Sequence, residues 1–340
     1  MAGAQATAAT SKPRSALSVD DYVNGVIGGD RAMLGRTITI IESRSRRHQQ
    51  LAQDILARLL AYTGKAHRIG ITGVPGAGKS TFIEAFGCGL IRQGLKVAVL
   101  AVDPTSPVSG GSILGDKTRM ADLAVQANAF IRPSPSGGTL GGVTRTTRQT
   151  MVVCDAAGYD VILVETVGAG QSEVAVSDMT DVFLVLMLPG AGDELQGIKK
   201  GVLEIADMIV VNKADSGNEV RAKQAAVHYR NALHIIQPKT PTWSPPVLLC
   251  SSIENTGIDR VWGKLVEHKD KLTATGEFQR RRQQQRVKAM WSQLQDRVMT
   301  DIKNHPKVVE QLPELQRELL SGNLTVTRSV DRILQLFHED

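Results

Sequence analysis

The stretch Gly73-Val-Pro-Gly-Ala-Gly-Lys-Ser-Thr81 decides how the rest of this 340-residue chain is interpreted. It follows a short apolar run, Arg68–Thr72, typical of a buried strand, and it opens a stretch with helical spacing. A glycine-rich turn between a strand and a helix lets several backbone N–H groups point at one phosphate. The pattern therefore predicts a phosphate-binding P-loop formed by Gly73, Val74, Pro75, Gly76, Ala77, Gly78, Lys79, Ser80 and Thr81.

Two side chains of this loop carry the expected chemistry. Lys79 places a positive charge towards the β- and γ-phosphates, and the Ser80 hydroxyl is a ligand for Mg²⁺. The alternative is a glycine-rich turn that arose by chance. The strand before the loop and the amphipathic helix after it argue against that alternative.

Short β-branched runs alternate with helical stretches on both sides of the loop. Apolar strands of this length suit a sheet covered on both faces, and the alternation indicates right-handed crossovers and mainly parallel strands. The fold class is therefore α/β, a P-loop domain with a mainly parallel central sheet, flanked by N- and C-terminal helical arms. The predicted strands are Arg68–Thr72, Lys96–Val102, Asp160–Glu165, Asp181–Leu188, Met208–Asn212 and Val247–Cys250.

Composition and residue spacing divide the chain into four parts. Residues 1–18 are rich in Ala, Ser and Thr and are expected to be a disordered tail. Residues 19–63 carry apolar positions at helical spacing, residues 64–275 form the α/β core, and residues 276–340 form a C-terminal helical arm. Pro306 and Pro313 are expected to interrupt the helices of the arm.

Composition excludes several classes of protein. Hydrophobic residues make up 42% and charged residues 22%, as in globular proteins, and no apolar run reaches the ~18 residues that span a bilayer. Cys88, Cys154 and Cys250 lie too far apart for a disulfide framework, which fits a reducing compartment. The net charge is +6, but the densest basic segments, Arg44–His48 and Arg280–Arg286, are interpreted as solvated helix faces. We therefore expect a cytoplasmic protein that binds neither nucleic acid nor membrane.

A second motif selects the base. Asn212-Lys213-Ala214-Asp215 follows a predicted strand, and the Asp215 carboxylate can accept two hydrogen bonds from guanine that adenine cannot offer. The Lys213 stem would cover the base, and Asn212 would tie this loop to the phosphate site. The turn after the last predicted strand adds backbone N–H groups for the base oxygen at Ser251, Ser252 and Ile253. The expected ligand is GTP or GDP.

Candidates for the metal and switch residues follow two further predicted strands. Glu165 ends a strand where an acidic residue can hold Mg²⁺, and the N–H of Gly168 can sense the γ-phosphate. Asp103 and Asp116 are further candidates for the metal shell. Asp116 lies in the glycine-rich stretch Gly110–Arg119, which is interpreted as a mobile switch, with an ordinary surface loop as the alternative.

The catalytic groups are the least defined part of the site. Ala169 occupies the place where a glutamine orients water in Ras-like enzymes, so unassisted hydrolysis is expected to be slow. Basic residues could then act with a partner or report the nucleotide state to it, or they could be solvated and inert. The candidates for catalysis are Lys79, Glu165, Asp103, Lys199 and Lys200, with Lys117 and Arg119 as further cations.

These residues together resemble the MeaB/ArgK-type GTPases, which are chaperones of methylmalonyl-CoA mutase and related adenosylcobalamin enzymes. The similarity extends over roughly Gly28 to Phe278. The matching runs are Gly73–Thr81, Ala101–Ser106, Gly110–Met120, Glu165–Glu173, Gly192–Gly201 and Asn212–Asp215.

The resemblance implies a homodimer with helical arms around a GTPase core. Ser80, Asp103, Asp116 and Glu165 would surround Mg²⁺ and the γ-phosphate, and Gly190–Gly201 would be a third switch that signals to the mutase. The implied role is to gate adenosylcobalamin loading and to protect or reactivate an acyl-CoA mutase present as a separate chain. A eukaryotic source would place the protein in the mitochondrial matrix.

Three other functions remain in competition. A transport-linked kinase shares the P-loop but has little use for a guanine-selective loop. A nickel-insertion GTPase needs clustered His or Cys, and the seven histidines here are scattered. A non-enzymatic GTP sensor would bind the nucleotide without accelerated turnover when a mutase is added.

Overall fold

The computed structural model describes residues 17–43, 45–102, 120–133, 140–166, 172–190, 200–236 and 240–339. Its centre is a sheet of seven strands in the order β3-β2-β4-β1-β5-β6-β7, and every paired neighbour is parallel. The P-loop strand β1 lies between β4 and β5. The strands are β1 (His67–Gly73), β2 (Val97–Val102), β3 (Ala129–Arg132), β4 (Val161–Thr166), β5 (Val182–Met187), β6 (Met208–Val211) and β7 (Val247–Leu249).

The helices cover both faces of this sheet and extend beyond it at the C-terminal end. Those of the first part of the chain are α1 (Val19–Ile27), α2 (Arg31–Glu42), α3 (Arg46–Leu59), α4 (Lys79–Arg92), α5 (Ala121–Ala124) and α6 (Leu140–Ala156). Those that follow β4 are α7 (Ser172–Ser177), α8 (Lys200–Ile205), α9 (Glu219–Ile235), α10 (Ile258–Ala274), α11 (Glu277–Asn304), α12 (Pro306–Leu320) and α13 (Val326–His338).

The core is split by the sheet into two layers. In β5, Val182, Leu184 and Leu186 face one layer while Phe183, Val185 and Met187 face the other, as the two-residue period of a strand requires. Helices α4, α5 and α10 cover the first layer. Helices α1 to α3 pack with α6 over the second, so the N-terminal helices extend the core.

Helix α11 is held at the amino ends of the strands by buried ion pairs. Arg282 donates to both oxygens of Asp181, at 2.8 and 2.7 Å, and Arg68 donates to the same carboxylate. Arg281 makes a two-pronged pair with Asp207, at 3.2 and 2.9 Å. The interpretation of Arg280–Arg286 as a solvated face was therefore wrong for Arg281 and Arg282, because these side chains find acidic partners that come from distant parts of the sequence.

Arg282 also fixes the segment that leads into β1. Arg282 donates to the carbonyl oxygens of Gly64 and Ala66, at 2.9 and 2.7 Å. Asp155, in the last turn of α6, accepts the backbone N–H groups of residues 64 to 66 at 2.7 to 3.2 Å. Residues 64–66 are thus bonded on both sides, by α6 and by the C-terminal arm.

Two sequence expectations need correction. The strand β3 was not predicted, because four residues at a sheet edge, Ala129–Arg132, carry too short an apolar signal. Pro313 does not interrupt the arm, since α12 continues through it to Leu320, whereas Pro306 occupies the first turn of α12, where a proline fits. No helix within the described ranges is both long and apolar enough to cross a membrane.

Candidate functional site

The P-loop curls around the carboxyl end of β1. Gly78 has φ +80°, and a Cβ at this position would approach Asn212 Nδ2 to 3.0 Å, so both its backbone angle and its neighbour favour glycine. The N–H of Ala77 donates to the Val74 carbonyl at 3.1 Å and closes the turn. Ala77 is buried, while Pro75, Gly76 and Thr81 are exposed at the mouth of the loop.

Lys79 lies within this loop as a partly buried cation. Its Nζ donates to the Gly73 carbonyl at 2.9 Å. Burial lowers the pKa of Lys79, while the negative charges of Glu165 and Glu173 oppose that shift. The lysine is therefore a partly buried positive charge whose hydrogen-bond partner is the carbonyl of the loop itself.

Two neighbouring strands end together at the phosphate loop. The Thr166 hydroxyl, at the end of β4, donates to the Thr72 hydroxyl, next to the P-loop, at 2.7 Å. Glu165 precedes Thr166 and lies in register with Ile71 of β1 on one side and Ala101 of β2 on the other. The carboxyl end of β4 thus lies beside the P-loop.

Asn212 joins the base loop to the phosphate loop, as expected from the sequence. Its Nδ2 donates to the Ala77 carbonyl at 2.8 Å. Its Oδ1 accepts from the Ser252 N–H at 3.1 Å and from the Ser252 hydroxyl at 2.8 Å, and the Cys250 thiol lies 3.4 Å from it. One buried amide therefore holds three loops at fixed positions.

Asp215 is set by the neighbouring turn. The Ser251 hydroxyl donates to its Oδ2, and that hydroxyl in turn accepts the N–H of Glu254 at 3.1 Å. Asp215 and Ser251 are both buried, whereas Ile253 is 78% exposed. Lys213 has φ +57°, a backbone conformation unusual for a lysine. The carboxylate is thus fixed in orientation at the carboxyl end of β6.

Several predicted site residues lie outside the described residues. They are Asp103, Asp116, Lys117, Arg119, Gly168, Ala169 and Lys199, together with the side chain of Lys200. The switch expected at Gly110–Arg119 also lies outside the described residues, as does most of the one expected at Gly190–Gly201. Their roles stay predictions.

Glu173 is the residue at this edge that the sequence interpretation missed. It is 4% exposed, in the first turn of the six-residue helix α7. The run Glu165–Glu173 was noted as a matching motif, yet an acidic residue at a helix start is usually a solvated one. Its place at the end of that run, eight residues after Glu165, was the available signal.

The described residues fit a magnesium ion that is held largely by the nucleotide. Ser80 offers a hydroxyl at the start of α4, and Glu165 offers a carboxylate at the end of β4. Within the described ranges, no group of three or more His, Cys, Asp or Glu could hold a metal ion. Mg²⁺ is commonly bound through one or two carboxylates, substrate phosphates and water, so this sparse set of oxygen ligands suits it.

Comparison with known proteins identifies relatives along most of the chain. The family model of the methylmalonyl-CoA mutase-associated GTPase MeaB matches residues 34–307. A putative GTPase of Caulobacter vibrioides is 52% identical over 322 residues, 95% of this chain and 98% of that protein. The mitochondrial methylmalonic aciduria type A homolog of Mus musculus is 46% identical over 329 residues, 94% of this chain and 79% of that protein.

A solved structure agrees with the fold. The crystal structure of a LAO/AO transport system kinase superposes with a TM-score of 0.76 at 39% identity and covers 93% of this chain and 96% of that one.

Proposed function

The chain belongs to the methylmalonyl-CoA mutase-associated GTPase family, MeaB, and on that premise we propose that it hydrolyses GTP to gate adenosylcobalamin loading and reactivation of a separate acyl-CoA mutase. The GTPase activity and the P-loop fold follow from the family. The coupling to cofactor loading, the metal, the homodimer and the individual site residues are the proposal.

The observation that carries the proposal is the bond from Asn212 to the Ala77 carbonyl. It joins a loop suited to guanine to a loop suited to phosphates through a single buried side chain. A nucleotide held by both loops therefore contacts one connected unit. Strands β4 and β5 pair with β1 on either side, so a change at the γ-phosphate would act next to their carboxyl ends.

Within this unit each residue has a distinct task. Lys79 binds the β- and γ-phosphates, and Ser80 and Glu165 would hold Mg²⁺, with Asp103 and Asp116 as further ligands. Bound Mg²⁺ supplies charge neutralisation of the phosphates. Asp215 selects guanine, and Gly168 reports the γ-phosphate. Lys199 and Lys200 would act when the mutase is bound.

The arm supports the proposed homodimer. Five apolar side chains of α11 stand at helical spacing and are 41 to 57% exposed: Val287, Met290, Trp291, Leu294 and Val298. A row of this kind on one helix suits packing against a second copy. Sedimentation of the wild type and of Trp291→Glu tests this point, and we expect a dimer for the first and a monomer for the second.

The function is tested by adding a purified adenosylcobalamin-dependent mutase to the full chain. We expect GTP turnover to rise at least tenfold, and transfer of cobalamin to the apo-mutase to require a hydrolysable nucleotide. The matched control is Lys79→Ala, which should show neither effect. Turnover that stays unchanged with every mutase tested, or cofactor loading that ignores the nucleotide, contradicts the coupling.

A transport-linked kinase is the second candidate, favoured by the name of the solved relative. GTP labelled at the γ-phosphate distinguishes the two functions. We expect the label to appear only as inorganic phosphate, and label on an added amino acid or protein acceptor would support the kinase.

A cytoplasmic location, or the mitochondrial matrix in a eukaryote, is proposed from the chemistry of the thiols. Cys88, Cys154 and Cys250 are all free, and burial raises the pKa of Cys154 and Cys250. Such thiols suit a reducing compartment.

A further inference from the structure

We propose that Thr72 and Thr166 are positioning residues of GTP hydrolysis, whose hydroxyl–hydroxyl bond holds Glu165 at a fixed distance from the P-loop. Neither threonine contacts the nucleotide in this proposal, and each acts through the residue next to it in the chain. The proposal rests on the GTPase activity of the family and on the phosphate site proposed above, and it is independent of the mutase partner.

The first support is the place where the pairing of β1 with β4 ends. The last two residues in register between these strands are Ile71 and Glu165. On the outer sides the pairing continues further, because β1 stays in register with β5 up to Gly73 and β2 with β4 up to Thr166. The hydroxyl bond, at 2.7 Å, therefore continues the connection of β1 to β4 one residue beyond their backbone pairing, where the P-loop begins.

The second support is the apolar surrounding of the two hydroxyls. Thr72 and Thr166 are 2% and 0% exposed. Their outer neighbours in register are Val185 of β5 and Val102 of β2, which belong to the same apolar layer of the core. Valine has the shape of threonine and would fill such a place without the cost of burying a hydroxyl. Two polar side chains that bond to each other here indicate a need for the connection itself, beyond the filling of space.

The third support is the chemistry of the residues beside the pair. Thr166 follows Glu165, the predicted ligand for Mg²⁺. Thr72 precedes Gly73, whose carbonyl accepts from Lys79 Nζ at 2.9 Å. The hydroxyl bond thus joins the residue after the metal ligand to the residue before the seat of the lysine. Phosphoryl transfer depends largely on the positioning of such groups, so a looser connection should slow the reaction.

A double-variant cycle with valine separates positioning from folding. Thr72→Val and Thr166→Val each leave a buried hydroxyl without its partner in the pair, so each should lower the thermal midpoint of the nucleotide-free chain by a few degrees. The double variant replaces both hydroxyls by methyl groups and should regain most of that midpoint. Its kcat for GTP should stay about tenfold or more below that of the wild type, because the spacing is lost. The Kd for GDP should stay within about twofold, because the P-loop is still present.

A serine variant and a matched control complete the set. Thr166→Ser keeps the hydroxyl and removes a methyl group, so it should retain the kcat that Thr166→Val loses, although its thermal midpoint falls. Thr37→Val is the control, since Thr37 is fully buried on α2 and its hydroxyl donates to the Met33 carbonyl at 2.8 Å. This variant should keep the wild-type kcat.

Three results would overturn the proposal. The first is a double variant whose kcat returns together with its thermal midpoint, and the second is a double variant that fails to fold, because the pair would then serve folding alone. The third is a kcat for Thr166→Ser as low as that for Thr166→Val. Turnover of GTP by the wild type is measured first and tests the GTPase activity itself, so a failure there is distinct from a failure of the pair.

Discussion

The two ends of the central sheet both bury ionisable side chains but give them different partners. At the amino ends, Asp181 and Asp207 are paired with arginines of α11. At the carboxyl ends, Lys79, Glu173 and Asp215 hydrogen-bond to neutral groups, a carbonyl and two serine hydroxyls. Charges whose partners are ions hold the structure together. Charged groups whose partners are neutral can still interact electrostatically with a charged ligand. The kind of partner therefore distinguishes the structural edge of the sheet, at the amino ends of the strands, from the functional edge at their carboxyl ends.

Asp181→Asn should give the largest effect, and it should fall on stability. Burial alone would raise the pKa of Asp181, but Arg68 and then Arg282 hold it well below its usual range. Neutralising it leaves two arginines without their counter-charge, which costs about 3–5 kcal/mol for a buried pair. Denaturant unfolding measures this loss.

The matched control for that variant is Asp178→Asn. Asp178 pairs with the exposed Lys288, and surface pairs contribute about 0–1 kcal/mol. A loss of equal size in both variants would remove the distinction between the two kinds of pair.

Lys79→Ala should affect binding at the opposite end of the sheet. We expect the affinity for GTP and GDP to fall about 100-fold or more, about 2.7 kcal/mol, since the loop loses its cation. The unfolding free energy of the nucleotide-free chain should change little, because Lys79 has a neutral partner. Calorimetry and thermal denaturation measure the two quantities. Lys96→Ala, at an exposed position just before β2, is the control, and retained nucleotide affinity in Lys79→Ala would contradict the phosphate assignment.

Asp215→Asn should change selectivity with little change in stability. Its amide cannot accept both guanine hydrogen bonds, so the preference for GTP over ATP should fall about tenfold to 100-fold, or about 1.4–2.7 kcal/mol. Competition binding with the two triphosphates measures the ratio. Ser251→Ala removes the hydroxyl that bonds Asp215 and Glu254 but keeps the carboxylate, so it should reduce the ratio less. An unchanged ratio in Asp215→Asn would mean that another group reads the base.

His67 extends the comparison because it is a buried polar group at the amino end whose Nε2 has no hydrogen-bond partner among the described residues. Burial lowers its pKa from 6.5 to about 3, although Asp181 opposes the shift. The unfolded chain therefore binds more protons between these values, and stability is lost as the pH falls through this window, by at most about 1.4 kcal/mol per pH unit.

Replacing this imidazole should flatten that acid dependence. Unfolding of His67→Leu, followed from pH 7 to pH 4, should show a smaller loss than the wild type. His228→Gln, an exposed histidine on α9, should follow the wild-type curve. Parallel curves for His67→Leu and the wild type would assign the acid sensitivity to other groups.

Sequence reasoning predicted the parallel sheet, and the structure confirms it. The P-loop and the base loop are short contiguous motifs, so the sequence also points to Lys79, Asn212 and Asp215, whose roles stay predictions. It failed where partners are distant in the chain, as for Arg282 and Asp181, which are separated by 101 positions. Glu173 was missed for a related reason. Its burial depends on how closely α7 packs on β1 at Gly70, and no local sequence pattern indicates how close that packing is.

The pairing of α11 with the sheet also has a consequence for synthesis on the ribosome. Asp181 emerges well before Arg282, so the growing chain makes its P-loop and all seven strands while the acidic groups at their amino ends still lack their arginines. These ion pairs form only when the arm follows. A stop codon before Arg281 would thus spare both nucleotide motifs and still yield a fragment that proteases remove.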